Sequence, residues 1–386
     1  MITIKYKNIY EQFIENYKTI HINPWHEINE KQLNSIYNEL INSMNIDNEY
    51  NFTYFMNFII KRLNGKSDAH TKLNIMSALP INFRIFNNEV LINYPEELKG
   101  STLLSINNIS ITTIVNEIDD IISYGTEGKR KYEIEKALFN KYILYGLPSL
   151  RNFKELTYEI KNKNGEIIRK TFTDESKNKP FDYDKFRYGN ISEYNIIDNC
   201  LIYKLNSLQN QFKSKIEKNI EELNKTDLSM IDTIIIDLRG NTGGNSGLNQ
   251  ILINFLKQNL DKNLLCLTDY RIYSSASSTL EELRKLNATF IGEEISTPMN
   301  SYGNNKNIDI DGFNFAISYC YFHKTMDLGF FNKEDFNERI TPEILKPTIF
   351  TPDILVEETK NDYINNIDTI LDYAISYSIT KTKKVV

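Results

Sequence analysis

Three short stretches carry residue types able to do covalent chemistry at a carbonyl. They are the turn DLRGNTGG at 237–244, the serine cluster YSSASS at 273–278, and Asp68-Ala69-His70-Thr71. In the first, glycines let the backbone aim its N–H groups outward, so the turn can hold a phosphate or an oxyanion. A phosphate loop of the G-x-x-x-x-G-K-[ST] type needs a Lys-Ser/Thr pair that is absent here, and the glycines at 240, 243, 244 and 247 do not spell G-x-G-x-x-G. In the second stretch, a serine at a strand-to-helix junction has two readings. It caps the helix, or it attacks a carbonyl while the next backbone N–H stabilises the oxyanion. In the third, His70 has an imidazole that titrates near neutral pH and can exchange a proton.

The chain has only four histidines, His21, His26, His70 and His323, so any histidine base is one of these. No H-E-x-x-H pair exists. His21 and His26 lie beside Trp25 and read as packing or surface residues, and His323 reads as a strand end. Cys200, Cys266 and Cys320 are far apart in apolar contexts, which fits core residues and neither a metal set nor a disulfide framework. No metal and no cofactor is expected.

These residues need elements to position them. Apolar residues recur at helical spacing through 6–64, broken at Pro24 and ended at Gly65, with Asn51 as a candidate cap for a third helix. From about 75 to 175 the pattern changes to short alternating runs: NFRIF, EVLINY, TLLSI, and a hairpin around Asn164-Gly165. An amphipathic helix ending near Gly125 and another over Tyr132–Tyr145 fall between them. CLIYKL reads as a strand and Gln209–Leu223 as a helix. From Ile231 onward, strand and helix patterns alternate: IDTIIID, LNQILINFLKQNL, LLCLTD, SSASSTLEELRKL and ATFIG. That order predicts a parallel α/β sheet. Strands are expected at 308–322 and 347–357, then a closing helix over YINNIDTILDYAISYSI.

Composition narrows the function classes. With 386 residues, 41% hydrophobic and 25% charged, the chain suits a soluble protein of two or three domains. A net charge of −6 argues against general nucleic-acid binding. No apolar run is long enough for a membrane span. The start lacks an apolar signal core, so a cytoplasmic address is expected.

The order of these motifs resembles the C-terminal-processing (tail-specific) serine peptidases. DLRGNTGG, YSSAS at 273–277 and the Gly292-Glu293-Glu294 turn match that family's catalytic stretch. SDAHT, STPMNSYGN and TPDILVEETKNDY are similar to its histidine-using branch, which is similar to the tricorn core. The resemblance implies an α/β fold with three parts. A helical cap spans 1–74, a PDZ-like α+β module 75–175, and a catalytic core with a crotonase-like β-β-α spiral 176–386. It implies Ser275 as nucleophile, His70 as general base, and an oxyanion hole from the N–H groups of Gly243, Gly244 and Ala276. Asp237, Arg239 and Glu293 would brace these loops. The other branch's lysine would fall at Asn300, so a serine–lysine dyad is disfavoured. The histidine branch's glutamate would fall at Lys346, which leaves Glu343 and Asp68 as candidates for a third member. The expected function is hydrolysis of extended or unfolded peptides. The alternatives are a catalytically silent peptide-binding protein on the same scaffold, or a serine esterase.

Overall fold

The computed structural model describes residues 1–87, 89–172 and 191–382, with side chains through 379. The boundary expected at 175/176 lies outside the described residues. The chain forms two units. One holds the described residues up to 172 together with Asn300–His323 and Asp327–Pro347. The other holds the described residues from 191 to Met299, Lys324–Met326 and the chain from Thr348 onward. Among the described residues no helix is long and apolar enough to cross a membrane.

The first unit begins with helices Ile4–Ile20, Glu30–Ser43 and Glu49–Asn64. Asn29 and Gln32 form a capping box on the second. The third starts at Asn48 instead of Asn51. The extended backbone of Asn48 lets its side chain accept from the Tyr50 and Asn51 N–H groups, and Glu49 then sits in the positive first turn. An antiparallel sheet follows, in the order Asn82–Phe86, Glu89–Tyr94, Thr102–Ile106, Thr157–Lys161 and Ile167–Thr171, with Ile109–Ser110 paired to Thr102–Ile106. The helix expected to reach Gly125 stops at Asp119, and the one expected over Tyr132–Tyr145 is split into Glu127–Ala137 and Lys141–Leu144.

A second sheet in this unit is built on the hairpin Asn300–Ile310 and Phe313–His323. Lys72–Leu73 and Leu328–Phe330 both pair with the latter strand. The single strand expected over 308–322 is therefore two strands. Asp311 and Gly312 both have positive φ, the backbone of a two-residue hairpin turn, and Asp-Gly is its usual sequence. The N-terminal helix packs on this hairpin: Phe13 lies 4.8 Å from Phe315, ring centroid to centroid.

In the second unit, five strands run parallel: Cys200–Leu205, Thr233–Asp237, Asn263–Thr268, Thr289–Gly292 and Ile354–Leu355. Ser192–Ile197 pairs antiparallel at one edge. The strand Thr233–Asp237 is buried throughout because both faces of the sheet are covered. Ile234 and Ile236 enter a core with Ile216, Leu252, Phe255 and Leu280 from three helices. Ile235 faces Ile370 and Ala374 of the helix Thr369–Thr382. Each such buried isoleucine contributes about 1.5–3 kcal/mol. The expected strand over 347–357 shrinks to Ile354–Leu355. The closing helix breaks in two at Asn365–Asp368, where Asn366 takes a positive φ.

Candidate active site

Three strands end side by side. Asp237 pairs with Leu267, and Thr268 pairs with Gly292. The loops leaving those ends hold DLRGNTGG, the serine cluster and Glu293, and carboxyl ends of parallel strands are where open α/β sheets place their ligands.

The Asp237–Gly244 loop is tied down from several sides. Arg239 donates to both oxygens of Asp237, at 2.9 and 2.8 Å, and to both oxygens of Asp368, at 2.5 and 2.8 Å. Burial opposes the Arg239 charge, but the two carboxylates outweigh it and hold the guanidinium well above its ordinary value. Burial pushes the Asp368 carboxyl up, and Arg239 more than reverses that, leaving it below the usual carboxylate range. On the other side, buried Asp269 accepts the Gly240 N–H at 2.9 Å and the Arg271 N–H at 3.0 Å. Asn241 is fully buried. Its side chain donates to the Leu205 carbonyl and accepts the Gly243 N–H at 2.9 Å, and its own carbonyl accepts the Tyr273 N–H at 3.1 Å.

Ser275 opens the helix Ser275–Lys285. The residue before it, Ser274, has φ 59° and ψ −128°, a conformation non-glycine residues rarely adopt. The hydroxyl of Ser275 is buried and has no hydrogen-bond partner among the described residues of its unit. Gly243 passes so close that a Cβ there would lie 2.7 Å from the Tyr273 carbonyl and 2.9 Å from the Ser275 nitrogen. Only glycine fits, both for space and for its φ of 87°. Gly244 is equally confined, its missing Cβ falling 2.3 Å from the Leu208 carbonyl oxygen.

Of the three N–H groups assigned to an oxyanion hole, Gly243's donates to Asn241 and Ala276's to the Tyr273 carbonyl at 3.3 Å. Among the described residues none accepts from Gly244. Glu293 braces a neighbouring loop: its carboxylate accepts the Tyr270 N–H at 3.3 Å, and its carbonyl accepts the Thr268 hydroxyl at 2.8 Å.

His70 belongs to the other unit. It is buried, and its ring lies against the backbone of Gly303, where a Cβ would be 3.7 Å from Cε1. Its N–H donates to Asp68 at 2.8 Å. Both Asp68 oxygens are occupied, Oδ1 by the His70 and Thr71 N–H groups and the Ser318 hydroxyl, Oδ2 by the His21 ring. Glu343 is exposed on the short helix Pro342–Leu345. Asn300 is buried and donates to the Tyr321 hydroxyl and to the Ile344 and Lys346 carbonyls.

Sequence reasoning assigned no individual role to Asn241, Asp269 or Asp368, and read His21 as a packing or surface residue. Asp368 had a signal, an Asp directly before an apolar helical run, which is a cap pattern. Asn241 and Asp269 each accept an N–H two residues on, a local turn pattern, but their bonds to Leu205 and Gly240, and that of His21 to Asp68, come from the fold.

No family model and no curated protein matches the sequence. Solved structures do. Mature CPAF complexed with lactacystin matches with a TM-score of 0.65 at 10% identity, covering 97% of this chain and 98% of that one. A second structure of mature CPAF gives 0.61 at 10% identity, with 95% and 99% covered. The photosystem II D1 C-terminal processing protease gives 0.45 at 9% identity, with 92% and 94% covered. The chain thus shares the mixed α/β, multi-sheet fold of mature CPAF.

Proposed function

We propose that this chain is a serine endopeptidase of the C-terminal-processing kind, acting on extended or unfolded peptides. One observation carries the reading. Ser275 sits at a helix start behind a strained Ser274, its buried hydroxyl unpartnered in its unit, with the Gly243–Gly244 loop packed against its backbone. A hydroxyl held in this way caps nothing, since it makes no hydrogen bond among the described residues of its unit, and is left for attack chemistry.

In the proposed reaction, Ser275 Oγ attacks the scissile carbonyl and its proton passes to His70. The carbonyl oxygen becomes an oxyanion held by backbone N–H groups. Gly244 is the donor left unengaged among the described residues, and Gly243 and Ala276 join once they turn from Asn241 and Tyr273; each such donor is worth ~3–4 kcal/mol. Collapse breaks the C–N bond, and His70 returns the proton to the leaving amine. Water then repeats the sequence and releases Ser275. The catalytic part is taken to follow the crotonase-like spiral. The antiparallel sheet within 75–175 is taken as a PDZ-like module that receives peptide by strand addition.

A fluorophosphonate probe tests the nucleophile: wild-type protein should label, and Ser275→Ala should not. Labelling that survives Ser275→Ala sinks the assignment. Cleavage of an unfolded protein such as casein, set beside hydrolysis of short esters, separates peptidase from esterase. A silent peptide-binding protein is the second reading, favoured by the internal engagement of the Gly243 and Ala276 N–H groups. It predicts peptide binding without labelling.

A further inference from the structure

Both oxygens of Asp68 are committed, and the partner on Oδ2 is another histidine. His21 is fully buried. The Asn23 N–H donates to its Nδ1 at 3.1 Å, so Nδ1 carries the lone pair and Nε2 the proton. Nε2 then donates to Asp68 Oδ2 at 3.1 Å. The ring is clamped by its neighbours, with centroids 4.8 Å from Tyr17, 5.1 Å from His26 and 4.9 Å from Tyr302. Burial drives the His21 imidazole below its ordinary value despite Asp68, consistent with a neutral donor. Burial alone would raise Asp68, but the His21 hydrogen bond reverses this and holds the carboxyl well below the usual range. The other oxygen of this carboxylate is the anchor of the His70 segment: it accepts from the His70 N–H, the Thr71 N–H and the Ser318 hydroxyl, at 2.8, 3.0 and 2.9 Å. Thr71 Oγ1 in turn accepts the Ser318 N–H at 3.0 Å.

We infer that His21 and Asp68 are positioning residues for the base: neutral His21 orients Asp68, and Asp68 fixes the backbone of His70 and Thr71, so that the His70 ring is aimed by a second histidine that never touches substrate. This rests on the proposed role of His70. The pair differs from a triad carboxylate. Asp68 acts on the main chain of the base, and its oxygens are used up in doing so. Displacement of a catalytic group by about 1 Å costs on the order of 100-fold in rate, so a small rotation of this loop is enough to be read kinetically.

The experiment compares His21→Phe, His21→Gln, Ser318→Ala and His70→Ala in the full chain. It reads the fluorophosphonate labelling rate, kcat and KM on fluorescein-labelled casein, and urea stability. His21→Phe keeps the ring volume and loses the donor; it should lower the labelling rate and kcat about 10- to 100-fold with KM nearly unchanged. His21→Gln returns an N–H to Asp68 and should recover to within a few-fold of wild type. Equal rates for the Phe and Gln variants, or a wild-type rate for His21→Phe, overturn the inference. If His21→Phe does not fold, Ser318→Ala decides: it removes one donor from the same carboxylate, and an unchanged rate overturns the proposal while a loss supports it. If His70→Ala labels and turns over as wild type, the peptidase reading fails at its base. If His70→Ala is dead and His21→Phe is fully active, only the positioning role fails.

Discussion

At the residue scale, the site depends on two kinds of constraint, close approach and buried satisfaction. Gly243 illustrates the first. Its missing Cβ would meet backbone atoms of Tyr273 and Ser275, which cannot move aside without shifting Ser275, the proposed nucleophile. Gly243→Ala should therefore lower thermal stability and reduce Ser275 labelling at least tenfold, measured by melting and by probe kinetics. Asn241 illustrates the second. It is buried, and its side chain bonds both Leu205 and Gly243. Asn241→Ala should cost about 1–3 kcal/mol in urea unfolding by leaving the Leu205 carbonyl without that donor. It also frees the Gly243 N–H. Labelling per folded molecule that holds or rises would show that Asn241 restrains a donor; a fall would show that it shapes the loop.

At the element scale, the important join is between the Asp237–Gly244 loop and the start of the helix Thr369–Thr382. Asp368 receives Arg239 on both oxygens and also accepts the Leu371 N–H at 3.1 Å. The last helix thereby braces the Asp237–Gly244 loop from the face of the sheet it covers. The two ends of the clamp are unequal. Arg239→Ala strands buried Asp237 without its counter-charge, a loss of about 3–5 kcal/mol. Asp368→Ala removes a partner whose side chain is 42% exposed, and Asp237 still holds the guanidinium, so about 1 kcal/mol or less is expected. Urea midpoints of the two variants check this ranking. A larger loss for Asp368→Ala would mean that the helix start matters more than the ion pair.

At the scale of the whole molecule, charged groups with shifted protonation set how stability follows pH. Asp68 and Asp368 are held below the ordinary carboxylate value, so the unfolded chain takes up their protons first. Their contribution is complete above about pH 4 and is lost as pH falls through their depressed values. Lys324 acts in the opposite range. Burial pushes its ammonium down to about 8, with Glu281 only partly offsetting this. Below that value the folded state carries an ill-solvated charge; stability should rise from about pH 8 toward the ordinary lysine value near 10.4. Chemical denaturation across pH should show both limbs, with Asp68→Asn flattening the acid one and Lys324→Met removing the alkaline rise.

Much of this protein could be read in one dimension. The three N-terminal helices, the short strands NFRIF, EVLINY and TLLSI, the Asn164-Gly165 hairpin and the alternating strands and helices after Ile231 all follow from period and turn chemistry. Local pattern is decisive there because each element's buried face is written into its own sequence. The same holds for DLRGNTGG and the serine turn, where residue type and backbone geometry are local properties. What the tertiary structure decided is membership and bonding. The hairpin Asn300–His323 joins the unit of the N-terminal helices although it follows the α/β strands in sequence. Asp68 is engaged by His21 and Ser318, 47 and 250 residues away, and Arg239 by Asp368, 129 residues on. A buried charge takes whichever partner the packed chain brings to it, and no spacing in the sequence encodes that choice.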